Sequence, residues 1–375
     1  MKIGLLISKS IIYPEINFDF MNGLRLATGN NKNLEFIIEG IDFGAKDSII
    51  VDKAQKLLFE HQLHGIVALG GRVVTSTLSG VALASQIPVI IADTGGDIYT
   101  SIENQWVFHN SLEIWKSALL MGDYIRRKGH KKTGLISSFY DSGYGMLHAF
   151  TEGLASDQVF THIAPYDFVQ NEIKEFSDCI KTYQPDALFG ILSHEYASRF
   201  LTYYSDTKFE KDCTLYSTST LAAEKILEKV DRDISITSIT SWSESFEKKE
   251  SKEFAANYLE RSYKKANLFS LLGYECGKAL SLAASSLTSE NPSPKMLSDA
   301  LREVEFEGPR STFNFKGDRQ NHTPKHWLEE INYKDKKYTS DIIEEVDITS
   351  SQEAKLFKKT KELENSGWFN PYLCI

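Results

Sequence analysis

Residues 65–97 read GIVALGGRVVTSTLSGVALASQIPVIIADTGGD, and this stretch decides the fold. Gly65 to Leu69 is a short apolar run, as expected of a strand covered on both faces of a parallel sheet. Gly70-Gly71 breaks it. Val74, Leu78, Val81, Ala82 and Ser85 then recur at the spacing of one helix face. Ile87 to Ala92 is the next strand, with Pro88 at its entry, where a missing N–H does least harm. It ends in Asp93-Thr94-Gly95-Gly96-Asp97. Two glycine-rich loops are therefore expected at the carboxyl ends of neighbouring parallel strands, where open α/β sheets bind ligands. Each could offer backbone N–H groups to an anion; each could equally be a plain turn, for which glycine is the default residue.

Outward from this stretch the alternation continues. Lys2–Ile7 is the first strand, and Ser8–Pro14 its loop. Phe18–Ala27 is a helix whose spacing predicts Phe18, Met21, Leu24 and Ala27 inward. Leu34–Gly40 is a strand and Ser48–His61 a helix capped by Asp47 or Ser48. Residues 2–97 thus run β-α-β-α-β-α-β, a parallel sheet with right-handed crossovers. After a short apolar segment, Trp106–His109, a long helix covers Leu112–Lys128, and then the pattern starts again. Strands are expected at Thr133–Ser137, Val159–Ala164, Ala187–Leu192, Cys213–Ser217 and Ile234–Ile239, with helices between them. Two similar doubly wound lobes imply a cleft between them. Helices follow at Phe254–Tyr263, Leu268–Leu287 and Lys295–Arg302, then a strand pair within 306–315, a hairpin from Trp327–Ile331 and Lys337–Ile343, and a last amphipathic helix near Ser351–Glu364.

The 375 residues carry a formal charge of −9, with 42% hydrophobic and 25% charged content. That is an ordinary soluble composition with room for two cores. The acidic balance disfavours nucleic acid or an anionic membrane surface as main partner. The densest basic cluster, Arg126-Arg127-Lys128 with Lys131-Lys132, reads as a solvated helix end. No apolar run reaches membrane-spanning length. Cys179, Cys213, Cys276 and Cys374 form no CxxC pair, and no histidine completes a zinc site. Cys179 and Cys276 sit in apolar helical patterns; a Cys179–Cys213 bridge has no support from spacing. No GxSxG, HExxH, phosphate-loop or GxGxxG motif is present, so neither catalysis nor a cofactor is expected. Asp141, Ser193 and His194 lack the spacing of a triad.

Four segments, in order, resemble one family. They are KIGLLISKSIIYPEINFDFMNGLRLA (2–27), HKKTGLISSFYDSGYGMLHAFTEGL (130–154), LLGYECGKALSLAASSL (271–287) and FEGPRSTFNFKGDRQNHTPKHWLEEI (306–331). Together they resemble the type I periplasmic binding proteins, in the branched-chain amino-acid (leucine/isoleucine/valine) branch of ABC-transporter solute receptors. The resemblance spans about residues 2–345; the tail beyond lies outside it. It implies an α/β fold of two doubly wound parallel-sheet lobes joined by three crossovers. The first lobe would hold 1–115 and 245–320, the second 116–244 and 321–375. A small-molecule ligand would lie in the cleft, closed by hinge motion, and an ABC permease would be the partner. The location would be periplasmic or extracytoplasmic, or cytoplasmic if the start at Met1 is native, as no signal peptide is visible. A cytoplasmic ligand sensor acting on a regulatory partner protein is the competing reading.

By position, the resemblance implies ligand groups at Gly71, Arg72 and Val73 and at Thr94, Gly95 and Gly96. In the second lobe it implies Tyr144 as an aromatic wall, with Ser193 and His194 near a second wall. Tyr13 and Trp242 are candidate walls too, although Trp242 could instead pack the hinge. Two departures matter. Arg72 stands where amino-acid binders are serine-rich; it could grip an anion or turn to solvent. The loop Ser217-Thr218-Ser219-Thr220 lacks the carboxylate that meets an α-ammonium, and a buried ammonium without a counter-charge is costly. Either the ligand lacks an ammonium, or Glu195, Asp141 or Glu244 replaces the usual partner. Dimerisation through the Leu112–Lys128 helix is a further expectation.

Overall fold

The computed structural model describes residues 1–375 apart from 11–12, 30, 43–44, 97–103, 139–140, 142–143, 165–169, 208, 210–211, 290, 317–319 and 364–375. The chain divides into two compact units. The first comprises Met1–Gly95, Ser101–Leu112 and Phe246–Pro324; the second comprises Gly96–Thr100, Glu113–Ser245 and Lys325–Ile375.

In the first unit β1 (Lys2–Lys9), α1 (Ile16–Thr28), β2 (Glu35–Asp42), α2 (Asp47–His61), β3 (Gly65–Leu69), α3 (Arg72–Ser85), β4 (Val89–Asp93) and β5 (Val107–Ser111) alternate as expected. The second unit runs α4 (Ile114–Lys128), β6 (Thr133–Ser138), α5 (Tyr144–Leu154), β7 (Phe160–Ala164), α6 (Gln170–Tyr183), β8 (Ala187–Ile191), α7 (His194–Asp206), β9 (Thr214–Thr218), α8 (Glu224–Val230) and β10 (Ile236–Thr240). The chain returns to the first unit for α9 (Lys249–Ser262), α10 (Leu268–Ser286), α11 (Pro294–Arg302), β11 (Glu305–Glu307), β12 (Thr312–Asn314) and β13 (Asn321–His322). It ends in the second with β14 (His326–Lys334), β15 (Lys337–Val346) and α12 (Ser350–Leu363).

The first sheet has the order β13-β5-β4-β3-β1-β2, with every pairing parallel. The second has the order β15-β14-β10-β9-β8-β6-β7; its five inner and far strands are parallel, and the antiparallel β14–β15 hairpin extends one edge. Every residue of β3, β4 and β5 is buried, as parallel strands covered on both faces must be. Trp106–His109 is thus the approach to a fully buried strand, a role the short apolar segment does not announce. One apolar cluster joins Leu6, Ile66, Leu78 and Ile91 in the first unit. Another joins Ile136, Leu188, Phe200 and Ile236 in the second.

Several expectations are corrected. The buried face of α1 is Ile16, Asp19, Phe20, Gly23, Leu24 and Thr28, whereas Phe18 is 52% exposed. The cause is the crossing with α10: a Cβ on Gly23 would lie 1.9 Å from the Ser270 carbonyl oxygen, and one on Gly273 1.9 Å from that of Phe20. The helices touch backbone to backbone, which turns the contact face away from Phe18. Neither Asp47 nor Ser48 caps α2, whose N-cap is Lys46. Cys179 is only half-buried, and Cys179, Cys213 and Cys276 are free thiols; Cys374 lies outside the described residues. Eleven residues of α4, from Ile114 to Ile125, are buried. Its end is solvated as expected, with Arg126 and Arg127 both paired to Asp123. Among the described residues no helix is long and apolar enough to cross a membrane.

Candidate functional site

The strand orders place a reversal point in each unit. In the first, the chain winds outward from β1 in both directions, so the crevice opens between the carboxyl ends of β1 and β3. Ser8 Oγ donates to the Leu69 carbonyl at 2.7 Å and ties the two ends together. The Gly70 N–H donates to the Ala92 carbonyl at 3.1 Å and ties β3 to β4. Gly70 is required by space, since a Cβ there would sit 2.6 Å from Val74 Cγ2 and 3.0 Å from Ser8 Oγ. Gly71 differs. A Cβ there meets nothing within 4 Å, and it is the N-cap of α3 without a side-chain cap bond. The first amides of α3 have no intrahelical acceptor, and they begin at half-buried Arg72 and Val73. This helix end carries partial positive charge.

The neighbouring loop continues the rim. Asp93 and Thr94 are buried, and Gly95 takes φ +68°, a left-handed turn that glycine makes without strain. Gly96 is buried too and opens the 96–100 segment of the second unit; Asp97 lies outside the described residues. On the far side of the crevice the Tyr13 N–H donates to Ser10 Oγ at 2.9 Å. Its ring packs on Phe269 with centroids 4.9 Å apart. Burial, and then the charges of Asp19 and Glu15, push the Tyr13 phenol upward, so it stays a neutral hydroxyl.

Behind this rim is a group that sequence reasoning missed. Arg310 grips Glu275 through Nε–Oε1 at 2.9 Å and a terminal nitrogen to Oε2 at 2.8 Å. It also donates to the Ser111 carbonyl at 3.1 Å and Asn110 Oδ1 at 2.7 Å. Both side chains are fully enclosed, at 0% and 1% exposed. The fork therefore fixes the carboxyl end of β5 beside the Thr94–Gly95 loop. The available signal was Glu275 itself, an acid in an otherwise apolar helical run.

In the second unit the crevice opens between β6 and β8, and a carboxylate of the chain itself occupies it. Asp141 is 2% exposed. It accepts from Ser138 Oγ, at the end of β6, and from Ser193 Oγ, the N-cap of α7, each at 2.5 Å. The Ser193 N–H donates to it as well. Burial raises its carboxyl, and the serine donors oppose that shift. Ser137 Oγ donates to the Ile191 carbonyl at 3.0 Å, a second link between the strands. Ser193 is thus spent on Asp141, with no imidazole between hydroxyl and carboxylate as a hydrolytic triad would require. His194, at the start of α7, is half-buried with φ +56°, an uncommon conformation for a residue with a Cβ.

Tyr144 begins α5, but its side chain lies outside the described residues, as do 139–140 and 142–143. Thr218 Oγ1 pairs with Thr220 Oγ1 at 2.8 Å. Trp242 is 5% exposed, with its N–H donating to Thr240 Oγ1 at 3.2 Å. Glu195 is exposed and paired to Arg199 at 2.5 Å, and Glu244 is exposed. Among the described residues no group of three or more His, Cys, Asp or Glu could hold a metal.

A family model described as "Periplasmic binding protein" matches residues 1–334. No curated protein matches the chain. Solved structures do. An ABC transporter substrate-binding protein from Sphaerobacter thermophilus is 20% identical, covering 92% of this chain and 97% of its own, at TM-score 0.81. An R. palustris solute-binding protein in complex with 4-hydroxybenzoate is 18% identical over 92% and 96%, at 0.78. The branched-chain amino acid transporter substrate-binding protein LivJ from Streptococcus pneumoniae, in complex with isoleucine, is 15% identical over 92% and 99%, at 0.71. At these identities the likeness is one of fold.

Proposed function

The chain belongs to the periplasmic binding protein family, and from that premise we propose that it is the extracytoplasmic solute receptor of an ABC transporter, carrying a small carboxylate without an ammonium group. The observation that carries the ligand class is the contrast between the two crevices. In the first unit the open N-terminus of α3 at Gly71, with Arg72 and Val73, suits an anion. In the second, Asp141 already fills the corresponding position. Of the three acids that could have met an ammonium there, Asp141 is held by serines, Glu195 pairs with Arg199 and Glu244 is exposed. Of its described residues the second unit offers the hydroxyls of Thr218 and Thr220 and the ring of Trp242. Relatives of the same fold bind 4-hydroxybenzoate, which fits this description. A permease receives the solute, and no chemistry is done on it.

One observation favours a second reading. Asp93 is a buried acid at the end of β4, and it could receive the ammonium of an amino acid such as the isoleucine of the LivJ complex. A thermal-shift screen separates the two. At 100 times its Kd a ligand stabilises the folded protein by about 2.7 kcal/mol. Benzoate and 4-hydroxybenzoate should raise the midpoint while leucine and isoleucine leave it unmoved. Amino-acid hits that disappear in D93N would replace the first reading with the second, and silence across acids, amides and sugars would overturn both.

A further inference from the structure

We infer that Asp141 is a positioning residue, which ties the end of β6 to the residue before α7 and thereby fixes His194 in the orientation it presents at the ligand rim. The inference rests on the second-unit rim assigned above, but its central claim concerns the protein without ligand.

Asp141 joins two segments far apart in sequence. Its Oδ2 holds Ser138, the last residue of β6, and its Oδ1 holds Ser193, the residue before α7. The Asp141 N–H also donates to Ser138 Oγ at 3.1 Å, so Ser138 is gripped from both sides. Ser193 is likewise held twice, by its hydroxyl and by its N–H. An N-cap serine ordinarily turns its oxygen inward onto its own helix. Here that bond is missing, because the hydroxyl points to Asp141. The carboxylate stands at the entry of α7 and suits the positive end of that helix.

The consequence falls on the next residue. With Ser193 extended at φ −133° and ψ 167° and fixed at two atoms, the chain enters α7 through a left-handed step at His194, φ +56°. Such a backbone is strained for a residue with a Cβ and persists only where its surroundings enforce it. One buried carboxyl thus ties the end of β6 to the residue before α7.

The test uses the full chain with isotope-labelled histidine. The ring resonance of His194 is assigned by its loss in H194Q. In D141N and in S193A that resonance should move, while those of His130, His148, His162 and His326 in the same unit stay in place. S193T, which keeps a hydroxyl, should return it to the wild-type position. Affinity for 4-hydroxybenzoate should fall at least tenfold in D141N and less in S193A. If Asp141 merely supports the fold, all five histidines of the unit shift together or none does while the melting temperature drops, and the inference fails. S193A retains the carboxylate and gives a second reading should D141N not fold. If 4-hydroxybenzoate fails to bind even the wild type, the ligand class above is wrong, and the His194 resonance still decides the role of Asp141.

Discussion

At the scale of single residues, Gly70 and Gly71 are adjacent and alike in sequence but opposite in function. Alanine at 70 collides with Val74 and Ser8, and an overpacked turn of this kind costs about 1–3 kcal/mol. G70A should therefore lower the denaturation midpoint. Alanine at 71 enters open space with an ordinary φ of −83°, so G71A should leave stability within about 0.5 kcal/mol. Its new methyl would stand where a ligand approaches the α3 amides, so carboxylate affinity should drop by calorimetric titration. Equal affinity in G71A and wild type would remove α3 from the site. Arg310 tests the opposite principle, that a buried charge is safe only while paired. R310A would leave Glu275 at 1% exposure without its guanidinium, a loss of about 3–5 kcal/mol measurable by urea denaturation.

At the scale of elements, β14 carries a buried acid that the alternation of a hairpin strand does not flag. Glu329 pairs in register with Ser238 of β10, is 6% exposed, and accepts from Ser340 Oγ at 2.7 Å. Burial raises its carboxyl above the usual 4.5, against the pull of Ser340, Ser243 and Ser238. A raised folded value means that the unfolded chain releases this proton first as pH rises. Stability from this group is therefore greatest below pH 4.5 and declines as pH climbs towards the folded value. E329Q removes that decline, so its melting temperature should gain on the wild type from pH 4.5 to pH 7.5; a constant gap would refute the assignment. The same strand shows what the sequence could and could not tell. The β-α alternation, the hairpin and the order of elements were legible because period and punctuation are local properties. The face of α1 was misjudged because Gly23 and Gly273 meet across 250 residues of chain, and spacing within one helix cannot register a partner's backbone. The breaks at Gly70-Gly71 and at Thr94-Gly95 were legible as loops at strand ends, because glycine marks them locally. The Asp141 clamp and the Arg310–Glu275 fork could not, since each is made by residues that only the sheet order brings together.

At the scale of the whole molecule, the proposed ligand and the protein carry charge of the same sign. Nine net negative charges seen by a carboxylate from ~25 Å contribute roughly 1.5 kcal/mol of repulsion in unscreened water. The Debye length falls from about 30 Å at 0.01 M salt to about 8 Å at 0.15 M, so added salt removes most of this barrier at long range. The attraction of the α3 N-terminus and Arg72 acts at short range beside low-dielectric protein, where salt screens less. The two effects should separate in the rates. The association rate of 4-hydroxybenzoate should rise about twofold between those salt concentrations, while its dissociation rate changes little. Its uncharged amide, matched in size, should associate at a rate indifferent to salt. Stopped-flow tryptophan fluorescence can follow both, given the five tryptophans of the chain. A carboxylate rate that instead falls with salt would mean that the local field around Arg72 reaches beyond the rim and outweighs the net charge. Arg72 would then be the entry residue for the anion, and R72Q should flatten the salt dependence. A carboxylate rate as flat as that of the amide would mean that neither field governs entry, and would set aside the electrostatic account of the first-unit rim.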